Sequence, residues 1–313
     1  MWRCIDRLWM NTIEQLLEAP DANSRVGKTK ELIGFSTQLY SPANNFLLNR
    51  RRKLSPIYGC AEFLWYMKHT KKIEMIKAYA PQYEKFAEDG EAHGAYGWRL
   101  YENLSIVKNT SQLVLLINHL RHTPDSRQAI LTLWNADDLH YAVMKNHKDL
   151  PCTLSLQFFI RNGYLHLITT MRSNDAWLGL PYDIFTFTCI QKLVSRALGL
   201  PCGVYTHQVG SMHLYEKNWV AAEEALHSEH YETDWWRLEH EWSNDLTMDW
   251  HEQIQQALCA EGRYRKGLTG IEECIRLSDF LYDIVVCCSH QFGKPVHKPR
   301  SPILLEALNN ANH

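Results

Sequence analysis

The dipeptide Asn162-Gly163 lies between two runs of alternating polarity, and no other stretch restricts the chain's folding as tightly. Before it, Leu154, Leu156, Phe158 and Ile160 alternate with Ser155, Gln157 and Phe159, the period-two pattern of a strand with one buried face. Asn-Gly supplies the two positive-φ residues of a tight type I′ turn, so Tyr164 to Met171 is expected to return antiparallel. Ser173, Asn174 and Asp175 are capping residues, but Gly179 and Pro181 should delay the next helix to about Tyr182. From there Ile184, Phe187, Cys189, Ile190, Leu193, Val194 and Leu198 form a broad apolar stripe that stops at Gly199, with Pro201 just beyond. The helix should be central and buried, and a further strand should carry the chain to Tyr215.

Taken singly, the polar residues of this block have ordinary explanations. Cys152 beside Pro151 reads as a small, partly buried hydrophobe. Arg172, three residues before Asp175, reads as half of a local ion pair, and His213 and Tyr215 share one face of a strand. Their combination is more specific. Pro151-Cys152 with Gln157, Arg172-Ser173-Asn174-Asp175, Leu178-Gly179-Leu180-Pro181-Tyr182-Asp183 and His213-Leu214-Tyr215 follow one another without a gap. This set closely resembles thymidylate synthase and its relatives, the pyrimidine-nucleotide hydroxymethylases. The resemblance implies an α+β fold, a mixed β-sheet packed by helices, and a homodimer formed sheet to sheet. It further implies one domain over residues 1–313, with a catalytic core over about 20–220 and a divergent helical region over 221–313.

Length and composition agree with an enzyme of that size. A chain of 313 residues with 45% hydrophobic and 22% charged residues can bury a sizeable core. A formal charge of -2 argues against a general polynucleotide binder, whereas a small anionic substrate needs only a local arginine cluster. Nine cysteines without regular spacing, and no N-terminal signal segment, point to reduced thiols in a cytoplasm, or a host's cytoplasm for a phage protein. Cys287-Cys288-Ser289-His290 and His227-Ser228-Glu229-His230 lack the paired spacing of a zinc site, so no metal is expected. No apolar run approaches the roughly 18 residues of a membrane span.

The flanking segments extend the resemblance. Met1 to Glu18 reads as an amphipathic helix, and Ser24-Arg25-Val26-Gly27 as a loop whose Arg25 corresponds to a family arginine that closes on the substrate phosphate. Basic residues Arg52 and Lys53 precede an apolar helix and match positions near the folate glutamate tail. Within that helix Glu62-Phe63-Leu64-Trp65 resembles the family's Glu-Leu-Leu-Trp, whose glutamate organises water and protons around the pyrimidine. Gly94-Ala95-Tyr96-Gly97 is similar to Gly-Pro-x-Tyr-Gly, whose tyrosine sits near the reacting carbon. Thymidylate synthases carry two tryptophans just upstream. Residues 78–92 contain none, which favours a pocket that admits water.

Ser111 to Leu120 reads as a helix and Ile130 to Trp134 as a strand. Between them Pro124-Asp125-Ser126-Arg127-Gln128 matches a segment whose arginines reach the partner subunit's phosphate; Arg127 is kept and Gln128 replaces the second. Beyond Tyr215 the resemblance stops. Helices are expected over Ala221 to His230, Glu252 to Cys259 and Ile271 to Phe292, with Trp235, Trp236, Trp242 and Trp250 in a surface or lid-like stretch. No folate-closing segment is recognisable at the end of the chain.

C5 of a pyrimidine is a poor nucleophile until a thiolate adds at C6, and the resemblance assigns that attack to Cys152. Arg172 is expected to stabilise the thiolate, lower its pKa and bind phosphate, with Arg25, Ser173 and Gln157 also on the substrate. Asp175 and Gly179 fall to 5,10-methylenetetrahydrofolate, and His213 and Tyr215 to the 3′-hydroxyl of the sugar. Position 183 bears on the base. Uracil-specific relatives have asparagine there and cytosine-specific relatives have aspartate, so Asp183 points to dCMP or CMP and the missing tryptophans to a hydroxymethyl product. Thymidylate synthase, a deoxyuridylate hydroxymethylase, a cytidylate C5 methyltransferase and a non-catalytic nucleotide- or RNA-binding relative remain as alternatives.

Overall fold

A computed structural model of the chain describes residues 1–40, 42–102, 111–144, 147, 149–227, 249–268, 277–293 and 297–311. Among them, six strands form one mixed sheet. β1 (Asp21–Ser24) and β2 (Gly27–Leu39) make a hairpin, and β3 (Ile130–Thr132) lies at the opposite edge. β4 (Thr153–Arg161) and β5 (Tyr164–Asp175) form the expected second hairpin, with Asn162 and Gly163 at φ of 53° and 79°. β6 (Cys202–Tyr215) lies between β2 and β5, so the order is β1-β2-β6-β5-β4-β3. All pairs are antiparallel except β5 with β6, which run parallel and therefore need a crossover.

The N-terminal helix α1 (Ile5–Glu18) packs on β2, and the Trp9 indole N–H donates to the Ala176 carbonyl at 2.8 Å, tying down the turn that follows β5. α2 (Pro56–Met67) starts with Pro56 in its first turn and Ser55 accepting from the Tyr58 N–H. It is buried on nearly every side, Glu62 included. The short helices α3 (Glu74–Lys77), α4 (Tyr96–Glu102), α5 (Gln112–His122) and α6 (Ala136–Met144) follow. A Cβ at Gly97 would come within 2.4 Å of the Tyr66 carbonyl oxygen, so only glycine lets α4 dock on α2 there.

The crossover is α7 (Gly179–Leu198), ended by Gly199 in the left-handed region at φ 68°. It begins three residues before the expected Tyr182. Pro181 falls in the first turn, where an N–H has no intrahelical acceptor, so it starts the helix instead of delaying it. Along β5, Leu165, Leu167, Thr169 and Met171 are buried beneath α7, while His166, Ile168, Thr170 and Arg172 are half-buried or exposed on the other face. That second face carries apolar side chains, with Ile33 77% and Ile130 44% exposed.

C-terminal to the sheet lie α8 (Trp219–Leu226), α9 (Trp250–Arg265), α10 (Asp279–Ser289) and α11 (Pro302–Ala311). α10 is shorter than the expected 271–292 helix, because Ser278 caps it and accepts from the Leu281 N–H; residues 271–276 lie outside the described residues. Residues 228–230 of the expected 221–230 helix, and Trp235, Trp236 and Trp242, also lie outside them. Trp250 is buried at the start of α9. α9, α10 and α11 pack against α2, and one continuous buried cluster runs from Ile5 to Leu308. No described helix is long and apolar enough to cross a membrane, and no group of three or more metal-ligating side chains occurs among the described residues.

Candidate active site

A cavity of about 840 Å³ opens where the β1–β2 hairpin, the ends of β5 and β6, α2 and the start of α7 converge. The sheet side is set mainly by backbone hydrogen bonds. The Tyr96 oxygen accepts from both the Cys152 and the Thr153 N–H, each at 3.1 Å, which fixes the segment ahead of β4. Arg172 donates its backbone N–H to the Cys152 carbonyl at 2.8 Å, and its guanidinium donates to the Pro151 and Leu150 carbonyls at 2.9 and 3.2 Å. One Asp175 oxygen accepts from the Trp177 and Leu178 N–H groups at 2.8 and 3.2 Å, holding the carboxylate at the cavity wall. Asp175 pairs in register with His213, and His213 and Tyr215 line the same wall. Arg25 joins from the β1–β2 turn, which Ser24 braces by donating to the Gly27 carbonyl at 2.8 Å.

The helix side is set by burial. Glu62 projects from α2 and accepts from the Tyr58 hydroxyl at 2.7 Å. Burial raises its pKa to about 7, against the pull of the Tyr58 and Thr186 hydroxyls. Asp183, on α7, is raised to about 8 by burial and by the nearby Glu62 carboxyl, although Asn174 donates to its Oδ2 at 2.6 Å. A Cβ at Gly179 would lie 2.8 Å from Asn174 Nδ2 and 3.2 Å from Asp183 Oδ2, so this glycine makes room for that pair.

Cys152, Glu62, Tyr96, Asp183, Arg25, Arg172, Ser173, Asp175, Gly179, His213 and Tyr215 therefore line one cavity. Gln157, Lys53 and Arg52 do not line it, nor does Arg127, which was expected at the partner's site. Gln157 donates its amide to the Arg127 carbonyl at 3.0 Å on the open sheet face. Arg127 itself lies outside the cavity of its own chain. Lys53 is exposed, with a positive φ of 45°, in a groove against α11. Arg52 donates to the Trp177 carbonyl at 2.6 Å and stacks over the Trp177 and Tyr182 rings, near Asp175 but off the wall.

One expectation needs correction. The Cys152 thiol is raised, not lowered: its burial, with Asp183 and Asp149 adding, outweighs the nearby Arg172. The tryptophan-free segment places Tyr83 and Phe86 on the wall, beside Trp65 and Trp134.

The sequence reading missed Tyr58, Asn174, Asp149 and His147, all on the wall. Tyr58 stands four residues before Glu62, a helical spacing that could have revealed the pair. Asn174 occupies the variable position of its motif, which carries no signal for it. Asp149 accepts from the Gly94 N–H at 3.0 Å, a contact between segments distant in sequence.

Comparison with known proteins agrees with this geometry. The family model described as thymidylate synthase matches residues 8–254. The chain is 30% identical over 159 residues to a thymidylate synthase of Bacillus phage phi3T, covering 50% of this chain and 55% of that protein. It is 32% identical over 133 residues to one of Bacillus licheniformis, covering 42% and 46%, and 30% identical over 160 residues to one of Bacillus mojavensis, covering 50% and 55%. The chain thus spans about half the length of these curated relatives. The family match extends over most of the sequence and includes every element that builds the cavity, and on that basis the chain belongs to the thymidylate synthase family.

Proposed function

We propose that the protein transfers a one-carbon unit to C5 of a cytosine nucleoside 5′-monophosphate, dCMP or CMP, and that water completes the product as a hydroxymethyl group. The observation that carries this reading is Asp183, a carboxyl whose pKa of about 8 keeps it predominantly protonated at neutral pH. A neutral carboxylic acid offers one donor and one acceptor, which matches the acceptor N3 and the C4 amino donor of cytosine. Leaving one such buried group mismatched costs ~1–3 kcal/mol, or roughly ten- to a hundredfold in preference.

The cavity fits a folate beside the nucleotide. Asp175 presents a carboxylate already fixed by two backbone N–H groups, and aromatic Trp65, Tyr83 and Phe86 line the wall. 5,10-Methylenetetrahydrofolate, when bound, supplies the one-carbon unit. Arg25 and Arg172 offer cations to the phosphate, and His213 and Tyr215 offer polar groups to the sugar. Cys152 Sγ adds to C6 after losing its proton, and the electron pair that moves to C5 forms the new C–C bond. Loss of the C5 proton, as the C–N bond breaks and the tetrahydrofolate nitrogen departs with its electron pair, would leave an exocyclic methylene; water would add to it, and expulsion of Cys152 from C6 would restore the ring. Glu62, with a pKa near 7, can give or take a proton at neutral pH and is the acid–base group we assign to these transfers. The apolar open face of the sheet supports a homodimer, in which Arg127 at the sheet edge would serve the partner's site.

A second reading, reductive closure to a methyl group, is favoured by the aromatic wall and by the names of the relatives. Product mass separates the two. Protein incubated with methylenetetrahydrofolate and equimolar dCMP, CMP and dUMP should yield a hydroxymethyl adduct on a cytosine nucleotide, read by liquid chromatography and mass spectrometry. A methyl adduct, or modification of dUMP alone, refutes the proposal.

A further inference from the structure

A neutral carboxylic acid is ambivalent between pyrimidines. With its proton on the oxygen facing N3 it matches cytosine; with the proton on the other oxygen it accepts from N3–H, donates to O4 and matches uracil. Asp183 alone does not choose. Glu62 on α2 and Asp175 on β5 act on it through charge, which favours the acid form.

A buried polar chain breaks that symmetry. Asn174 Nδ2 donates to Asp183 Oδ2 at 2.6 Å, and Asn174 Oδ1 lies 3.2 Å from His207 Nε2. His207 Nδ1 lies in turn 2.7 Å from the Tyr205 hydroxyl. With the Asn174 carbonyl turned to His207, Nε2 must carry the ring hydrogen, so Nδ1 must accept from Tyr205. The chain therefore runs one way, Tyr205 to His207 to Asn174 to Asp183. His207 is fully buried, and that burial lowers its pKa to about 3, so the ring does not gain a second hydrogen that would disturb the order.

We infer that Asn174, oriented by His207 and Tyr205, is a specificity-determining positioning residue: its donation to Oδ2 confines the Asp183 proton to Oδ1 and turns an ambivalent acid into a reader of one base. A hydroxyl oxygen is the poorer acceptor, so the donated hydrogen bond disfavours protonation of Oδ2. The inference depends on the proposed function only for the direction of the preference.

The test is the ratio of kcat/KM for dCMP to that for dUMP in the full chain, in Asn174→Ala and in Tyr205→Phe, each measured across pH. Asn174→Ala should move the ratio at least about tenfold toward unity. Tyr205→Phe, which removes only a hydroxyl at the far end of the chain, should move it by about threefold. In Asn174→Ala the alkaline limb of the profile should also shift to higher pH, since the lost donation no longer stabilises the carboxylate. Parallel losses on both substrates, with the ratio held within twofold and the limb unmoved, would overturn the inference. If Asn174→Ala does not fold, Tyr205→Phe decides by the same ratio. A native preference for dUMP that collapses in Asn174→Ala would sink the cytosine reading and uphold the inference.

Discussion

The two sides of the cavity are built by different physics. On the sheet side, Cys152, Arg172 and Asp175 are placed through peptide groups: the Tyr96 oxygen on two N–H groups, the Arg172 guanidinium on two carbonyls, Asp175 on two N–H groups. On the helix side, Glu62 and Asp183 are placed by burial and by side-chain donors, among them Tyr58 and Asn174. Backbone partners are indifferent to neighbouring side chains, so the sheet side presents fixed groups, which on the proposed function serve attack and ligand anchoring. Burial tunes protonation, so on the proposed function the helix side is the one suited to handle protons and base identity.

Substitutions on the two sides should therefore fail in different ways. Cys152→Ala should lower kcat by about four orders of magnitude or more while nucleotide binding, followed by calorimetry, changes little. A comparable loss of binding would show that the sheet side is not independently organised. Glu62→Gln should lower kcat by roughly 10²- to 10³-fold with KM nearly constant, and should flatten the limb of the pH profile near 7. Asp183→Asn should move the dCMP-to-dUMP ratio about ten- to a hundredfold toward uracil, with no shift at all counting against the base assignment.

The smallest effect is on stability. Glu62 and Asp183 are raised from 4.5 and 3.8 to about 7 and about 8, so between those limits the folded protein holds protons that the unfolded chain releases. Stability from these groups is greatest at the acid end of that window and is lost as pH rises through it. Asp183→Asn removes part of the slope, and its thermal midpoint should exceed the parent's more at about pH 8 than at about pH 5. An equal gap at both would place the carboxyl in water.

Legibility in the sequence followed the same division. The β4–β5 hairpin was readable because Asn162-Gly163 and the period-two runs are local signals, and the sheet-side residues came with them. Pro181 was misjudged because its effect depends on where in the first turn it falls. The thiol of Cys152 was expected to be acidified by Arg172, which charge alone predicts, but burial is a property of the assembled fold and outweighed it. His207 and Tyr205 carried no motif at all; Asn174 pairs in register with Met212, and its contact with His207 is made between side chains only in the assembled fold. Gln157 matched a motif yet faces the open side of the sheet, where its amide holds Arg127.

Gly179 has a consequence for how this protein could change. A single methyl there would meet Asn174 Nδ2 and Asp183 Oδ2 together, while Cys152 and Glu62 keep their own supports. On the proposed function, a substitution at this position would act on the pair assigned to base choice and leave the thiol in place, a one-codon path by which selection or an engineer could retune the pocket without rebuilding its chemistry.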